Sequence, residues 1–157
     1  MSTLDLSSKT ILITGGAGAI GRVVVQTLLA HGATIAVNDI VPAEEAESAL
    51  PKSDRLRYFR ADATQADEVK VMFDAVESAL GMPNVVCCHA GMVAAHPVTD
   101  YPLDEYDRLM DVNVRAAFVV AQEAARRWIA RGASGHLIFT TSWVQDVPWP
   151  EITPYTM

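Results

Sequence analysis

Apolar runs of strand length alternate with stretches of helical spacing along most of this chain. The apolar runs are rich in β-branched residues and cover positions 10–14, 33–39, 56–60, 85–88 and 136–141. They show little alternation of polar with apolar side chains, which is typical of strands that helices cover on both faces. Such strands, alternating with helices, predict a parallel, doubly wound α/β sheet with the strand order 3-2-1-4-5.

Two long helices are predicted between these strands. The first follows residue 62 and carries apolar side chains at steps of three and four, namely Val69, Met72, Phe73, Val76 and Leu80. Its start resembles a capping box, with Thr64 followed three residues later by Asp67. The second spans 103–131, and we expect six apolar side chains to face inward: Leu109, Met110, Val114, Ala117, Phe118 and Ala121.

Glycines and prolines mark the ends of these elements. Gly32, Gly81 and Gly132 each follow a helical stretch, as glycines at helix C-termini do. The stretch 143–157 contains three prolines and two tryptophans, which predicts an irregular loop. The fifth strand would then lie at the edge of the sheet with apolar side chains exposed, and such edges promote aggregation unless covered. We therefore expect the chain to be part of a longer polypeptide.

Composition narrows the classes of function. The 157 residues suit one domain, and the formal net charge of -7 argues against nucleic acid and against an anionic membrane surface as partners. The first ten residues lack the pattern of a secretory signal, and no apolar run is long enough to cross a bilayer. Cys87 and Cys88 are adjacent, which suits neither a disulfide nor a metal site. We expect a cytoplasmic protein without a metal.

A glycine-rich segment directly follows the first strand and opens the first helix. It contains Gly16, Gly18 and Gly21 in the spacing G-x-G-x-x-G. Glycines at this place allow a tight turn and let the backbone approach a pyrophosphate, which binds at the helix N-terminus. The alternative is a plain turn without a ligand, but the strand–loop–helix order is the context that dinucleotide binding requires.

An acidic residue ends the second strand. Asp39 lies about as far beyond the glycines as the acidic residue of a dinucleotide-binding fold. Its carboxylate can accept hydrogen bonds from both adenosine ribose hydroxyls and would repel the 2′-phosphate of NADP, and Ile40 next to it offers no cation. The alternative is an Asp that starts a loop. We predict NAD rather than NADP as the cofactor.

Several motifs, in the order found here, resemble those of the short-chain dehydrogenase/reductases. They are TGGAGAIG at 14–21, Asp62 in ADAT, the segment CHAG at 88–91, Asn113 in DVNV, and Ser142 with Tyr155 thirteen residues later. The resemblance implies a Rossmann domain over 1–157 and a homotetramer or dimer with the helix from Leu103 at one interface. It implies three catalytic residues, Asn113, Ser142 and Tyr155. The cofactor-binding set it implies is Gly15, Ala17, Gly18, Ile20, Gly21, Asp39, Asp62, Ala63, Ala90 and Gly91.

The function implied is interconversion of a secondary alcohol and a ketone by hydride transfer to or from NAD. The tyrosine would take the proton, the serine would hold the substrate oxygen, and the asparagine would hold the local backbone and a relaying water. The serine and tyrosine could instead be a turn residue and a packing residue. Asn113 is more informative because it falls on the apolar stripe of its helix, where a polar side chain needs partners.

The sequence also departs from the family. The family's lysine, four residues after the tyrosine, and its later strands and helices are absent, so we expect the 157-residue chain alone to be inactive. Ala19 replaces a usual glycine, and Cys88 and His89 replace two asparagines whose side chains bridge the sheet. Two other functions stay open, a non-catalytic NAD-binding module and, on the glycine spacing, an epimerase-like enzyme.

The substrate side of the site is the least determined. Trp143, Trp149 and Pro150 could form an aromatic wall for a small-molecule substrate such as a sugar or polyol, or could pack against each other. His96, in the loop after the fourth strand, could line the same pocket, although most loop histidines have no such role.

Overall fold

The computed structural model describes residues 4–147 and 149–157 and contains one five-stranded parallel sheet. Its strand order is β3-β2-β1-β4-β5, as predicted. The strands are β1 (Thr10–Thr14), β2 (Thr34–Asp39), β3 (Leu56–Arg60), β4 (Val85–Cys88) and β5 (His136–Phe139). The α-helices are α1 (Ala19–Ala30), α2 (Ala43–Ala49), α3 (Ala66–Leu80), α4 (Leu103–Met110) and α5 (Ala116–Ala130).

Two apolar layers cover the two faces of the inner strands. Successive strand residues point to opposite faces, so Leu12 packs with α3 and α5 while Ile11 and Ile13 pack with α1 and α2. The predicted face of α3 is confirmed, with Val69, Met72, Phe73 and Val76 buried and Leu80 packed against them. Burial of both faces explains why β1 and β2 read as continuous apolar runs.

The helix predicted over 103–131 contains an unexpected turn. A π-helical segment, Asp111–Arg115, joins α4 to α5, and the buried residues of α5 are Ala116, Val120, Ala124 and Trp128. The prediction that Val114 and Phe118 face inward is wrong, because they are 60% and 62% exposed. A π-helical turn holds more residues than an α-helical one. The apolar stripe is therefore rotated beyond residue 110, and only Leu109 of the predicted set is fully buried.

The start of α3 also differs from the prediction. Thr64 and Asp67 form no capping box; Gln65 is the N-cap, without a side-chain bond. Glu68 instead reaches back, and its Oε2 accepts a hydrogen bond of 2.8 Å from the Asp62 N–H. The interaction still fixes the entry to the helix, but it ties the end of β3 to α3 rather than capping the helix directly.

The C-terminal edge of the sheet is open. β5 pairs with β4 alone, and all four of its residues are exposed, which confirms the predicted apolar edge. Residues 143–157 form two short 3-10 turns, Trp143–Gln145 and Thr153–Tyr155, joined by irregular chain, apart from Pro148, which lies outside the described residues. Within the described part of the chain, no helix combines the length and the apolar character that a membrane crossing needs.

Candidate functional site

A cleft of about 1220 Å³ lies at the carboxyl ends of the strands. Strand order reverses between β1 and β4, and the crevice at such a switch point is where doubly wound sheets bind ligands. The glycine-rich loop, the ends of β2, β3 and β4, the helix through α4 and α5, and segments 140–142 and 155–157 line this central cleft. The predicted site residues that line it are Gly15, Gly18, Ile20, Gly21, Asp39, Asp62, Ala63, Ala90, Gly91, Asn113, Ser142 and Tyr155.

Two glycines of the glycine-rich loop, Gly15 and Gly21, pack too tightly for a side chain. Gly15 has a φ of +67°, and a Cβ there would come within 2.8 Å of the Ala90 Cα. A Cβ on Gly21 would collide with the Gly15 carbonyl oxygen and lie 2.7 Å from the Gly16 Cα. Helix α1 begins within this segment, at Ala19, and has no acidic residue in its first turn. Its first N–H groups are therefore suited to an anion such as a pyrophosphate.

Asp39 connects the glycine-rich loop to the end of β2. Its Oδ2 accepts a hydrogen bond of 3.0 Å from the Ala17 N–H, and its Oδ1 accepts one of 2.8 Å from the Ile40 N–H. Ala17 itself does not line the cleft, so its part in the site is the backbone bond that orients the carboxylate. Each oxygen of an ionised carboxylate has a second lone pair. Asp39 can therefore still accept bonds from a ligand.

Asp62 follows β3 on the same side of the cleft. Its Oδ1 accepts hydrogen bonds from the Thr64 N–H at 2.9 Å and from the Thr64 hydroxyl at 2.8 Å. Ala63, between them, also lines the cleft and is 7% exposed. The turn is thus closed by its own polar groups, which leaves the second Asp62 oxygen for a ligand.

The segment after β4 is held by residues other than the family's asparagines. The Thr14 hydroxyl oxygen accepts hydrogen bonds from the His89 and Ala90 N–H groups, both at 3.0 Å. His89 Nδ1 bonds the Thr140 hydroxyl at 2.9 Å, and this bond bridges the ends of β4 and β5. Burial lowers the pKa of His89 below its ordinary value, so the ring is mainly neutral near pH 7. Thr14 and His89 therefore supply hydrogen bonds that join the ends of neighbouring strands, in place of those expected from two asparagines at 88 and 89.

Asn113 lies within the π-helical segment and faces the chain beyond β4. Its Oδ1 accepts a hydrogen bond from the Met92 N–H, and its Nδ2 donates one to the Met92 carbonyl oxygen, both at 2.8 Å. The expectation that this polar side chain needs partners is met by a two-point clamp on one residue. Because π-helical turns occur frequently at functional sites, the turn itself also marks this place.

Ser142 and Tyr155 reach the cleft from the C-terminal segment. Ser142 caps a 3-10 turn, and its Oγ accepts a bond of 3.5 Å from the Val144 N–H. Tyr155 ends the 3-10 turn Thr153–Tyr155 and lines the same cleft. The structure thus brings together the three residues predicted to be catalytic, from three separate segments.

The aromatic residues and the histidine considered for the substrate pocket do not line the cleft. Trp143 and Trp149 pack edge to face with ring centroids 6.4 Å apart, and neither lines the cleft. His96 also lies outside it, with its Nε2 bonded to Glu105 Oε2 at 3.0 Å. Over residues 4–147 and 149–157, no group of three or more His, Cys, Asp and Glu side chains is arranged to hold a metal ion.

Sequence reasoning missed the roles of Thr14 and Thr140. Both hydroxyls lie where a strand ends at the cleft, Thr14 as the last residue of β1 and Thr140 directly after β5. A hydroxyl residue at the carboxyl end of an otherwise apolar parallel strand is the signal that could have identified them.

Comparison with known proteins agrees with this geometry. The family model described as short chain dehydrogenase matches residues 9–157. A 5-keto-D-gluconate 5-reductase of Escherichia coli is 34% identical over 155 residues, which are 96% of this chain and 60% of the relative. The chain spans 56–62% of the length of eight such curated relatives.

Two solved structures show the same fold with different cofactors. A gluconate 5-dehydrogenase from Burkholderia cenocepacia in complex with NADP and tartrate has a TM-score of 0.85 and 28% identity, covering 98% of this chain and 61% of that one. A short chain dehydrogenase from Leptospira borgpetersenii with bound NAD+ has a TM-score of 0.86 and 26% identity, covering 96% and 61%. With the family model matched over nearly its whole length, this chain belongs to the short-chain dehydrogenase family.

Proposed function

We propose that the protein is an NAD(H)-dependent oxidoreductase that interconverts a secondary alcohol and a ketone. The observation that carries the proposal is the central cleft, which is lined both by the glycine-rich loop with Asp39 and by Asn113, Ser142 and Tyr155. A dinucleotide bound along such a cleft has its phosphates at the N-terminus of α1. Its nicotinamide end would then lie toward the three predicted catalytic side chains.

The choice of NAD over NADP rests on Asp39. The relatives include complexes with either cofactor, so the family alone does not determine the choice. Two backbone N–H groups fix the Asp39 carboxylate at the end of β2. An acidic residue at this place accepts a hydrogen bond from the ribose 2′-hydroxyl in this class of fold. A hydroxyl can donate to this carboxylate, whereas a 2′-phosphate would place like charges together.

The proposed chemistry divides between the cofactor and the chain. The bound nicotinamide supplies the hydride acceptor or donor. In the oxidation direction the ionised Tyr155 oxygen takes the proton of the substrate hydroxyl and becomes a hydroxyl, and in the reduction direction that hydroxyl returns the proton. The Ser142 hydroxyl donates a hydrogen bond to the substrate oxygen. Asn113 holds the backbone of Met92 with two bonds of 2.8 Å and so fixes the cleft wall beyond β4.

The partners follow from the same assignment. We propose a small-molecule substrate, with a sugar or polyol as one candidate class, and a homo-oligomer, either a dimer or a tetramer. Apolar side chains are strongly exposed along the helix through α4 and α5, namely Leu103, Val114, Phe118 and Ile129. Exposed apolar side chains of this size are typical of surfaces that contact another subunit.

Turnover with and without Tyr155 tests the proposal. Because the 157-residue chain alone is expected to be inactive, the longer polypeptide expected to contain it is purified and incubated with NAD+ and a panel of secondary alcohols, sugars and polyols, and NADH formation is followed by absorbance. We expect turnover of at least one member, its loss in Tyr155→Phe, and its retention in Tyr106→Phe, a tyrosine of α4 outside the cleft lining. Binding of NADH without turnover of any compound would contradict catalysis and favour the non-catalytic NAD-binding module.

A further inference from the structure

The loop that carries Asp39 is held in place by β3. Three consecutive carbonyl groups, those of Asp39, Ile40 and Val41, each accept a hydrogen bond from a β3 side chain. The Tyr58 hydroxyl shares its proton between the Asp39 oxygen at 3.0 Å and the Val41 oxygen at 2.6 Å. Arg60 Nε donates to the Ile40 oxygen at 3.0 Å.

These bonds continue into the Asp39 carboxylate. The Ile40 residue that accepts from Arg60 also donates its N–H to Asp39 Oδ1 at 2.8 Å, while Asp39 Oδ2 accepts from the Ala17 N–H at 3.0 Å. The set therefore runs without a break from the β3 side chains through the loop to the glycine-rich loop. A carboxylate held at both oxygens has little freedom to turn away from a ligand.

The sequence places these side chains on one face of β3. Tyr58 and Arg60 are two residues apart and so point to the same side of the sheet, and Arg60 is paired with Asp39 in the strand register. Burial, and next the nearby Asp39 charge, raise the pKa of Tyr58 to about 12, so its hydroxyl stays a donor at every pH at which the protein would be assayed. Tyr58 also packs against the apolar layer formed with α1 and α2, which fixes its ring.

We propose that Tyr58 and Arg60 are positioning residues for cofactor selection, holding the Asp39 loop so that its carboxylate accepts the ribose hydroxyls and excludes a 2′-phosphate. The inference rests on the proposed function. Discrimination between two ligands is a difference of two affinities, and repulsion contributes only if the repelling group cannot move away. A loop released from β3 could move the Asp39 carboxylate aside, so that NADPH is repelled less and NADH loses hydrogen bonds.

The test measures the dissociation constants of NADH and NADPH for the protein and its variants, with thermal unfolding of each variant recorded alongside. Tyr58→Phe removes the two loop bonds and keeps the ring. Loss of one net hydrogen bond corresponds to about a 2- to 10-fold change in an equilibrium constant. We expect the NADH preference over NADPH to fall by about that factor in Tyr58→Phe.

Two substitutions of Arg60 separate its hydrogen bond from its charge. Gln carries its amide nitrogen the same number of bonds from Cα as the Arg Nε. Arg60→Gln therefore keeps a donor for Ile40 and removes the charge, whereas Arg60→Met removes both. We expect Arg60→Met to lower the NADH preference as Tyr58→Phe does, and Arg60→Gln to restore it. Arg57→Met is the matched control, because Arg57 lies on the other face of β3 and bonds the Leu56 carbonyl.

The outcomes separate this inference from the function it rests on. An unchanged preference in both Tyr58→Phe and Arg60→Met, with NADH bound normally by the parent, overturns the positioning role alone. The same follows if Arg60→Gln behaves as Arg60→Met, which would mean that the charge matters rather than the bond. A parent that binds NADPH more tightly, or neither cofactor, overturns the NAD assignment itself, and the positioning role for NAD selection falls with it.

Discussion

β1 and β5 are apolar strands of the same parallel sheet, yet they lie in opposite environments. Four of the five β1 residues are buried, and helices cover both faces of the strand. All four β5 residues are exposed, including Ile138 at 51% and Phe139 at 50%. The strands are alike in sequence character, so the difference lies in what packs on them rather than in the strands themselves.

This difference divides the central cleft into two halves. The half around β1 and β2 carries the glycine-rich loop and Asp39 at the ends of two strands that are buried in the core. The half around β5 contains Ser142, which follows this exposed edge strand, and Tyr155, which is half-buried in a turn beside the buried Pro154. In this 157-residue chain, the proposed cofactor end of the cleft therefore rests on buried strands, whereas Ser142 follows an exposed one.

The largest expected effect comes from the same truncation in the two strands. Ile13 is 1% exposed and Ile138 is 51% exposed. Ile13→Ala should lower the free energy of unfolding by about 2–5 kcal/mol, because it removes buried methyl groups and leaves a cavity. Ile138→Ala should cost less than about 1 kcal/mol. Urea unfolding measures both, and equal losses would show that β5 is packed as well as β1.

A smaller effect is expected from a matched pair in the glycine-rich loop. A Cβ on Gly21 would collide with the Gly15 carbonyl, whereas one on Gly18 would lie 3.3 Å from that oxygen, its one neighbour within 4 Å. Gly21→Ala should therefore lower the free energy of unfolding by about 1–3 kcal/mol. Gly18→Ala should lower it by less than about 1 kcal/mol. Thermal unfolding compares them. Similar melting temperatures for the two variants would contradict tight packing of α1 on the loop.

The smallest effect concerns His89, whose hydrogen bond to Thr140 joins the ends of β4 and β5. Burial lowers the pKa of His89 in the folded state, so the unfolded chain takes up a proton at a higher pH than the folded one. Stability should therefore fall as the pH drops below about 6.5 and level off below the lowered value. His89→Asn should remove that part of the pH dependence of unfolding, and His136→Asn, on exposed β5, should not. Identical profiles for His89→Asn and the parent would contradict this.

Much of the fold followed from periodicity. The bounds of β1, β3 and β4 were predicted from the apolar runs, and the strand order was confirmed. The inward face of the helix through α4 and α5 was predicted only in part. Leu109 is buried and Ala117 and Ala121 pack against the core, whereas Val114 and Phe118 are exposed. The π-helical turn at Asp111–Arg115 contains Asn113, which makes two hydrogen bonds to Met92, and neither the turn nor these bonds are visible in local spacing.

The candidate site was only partly accessible from the sequence. Motif order identified residues that the structure gathers into one cleft, but not the bonds that hold them. The capping pair at Thr64 and Asp67 was a local pattern, and the bond that formed instead joins Glu68 to Asp62, six residues apart. On the neighbouring strand β3, Tyr58 bonds the Asp39 carbonyl and Arg60 bonds the carbonyl of Ile40 next to it. Contacts between elements require the tertiary structure, which one-dimensional spacing does not supply.

A titration of the purified protein with NADH and, in parallel, with NADPH, followed by calorimetry, tests whether the β1–β2 half of the cleft is an NAD site. We expect saturable binding of one NADH per chain, with NADPH bound at least roughly tenfold more weakly because Asp39 repels its 2′-phosphate. The preference should largely disappear in Asp39→Asn, which removes the charge. Absence of NADH binding, or tighter binding of NADPH, would show that this half of the cleft is not an NAD site.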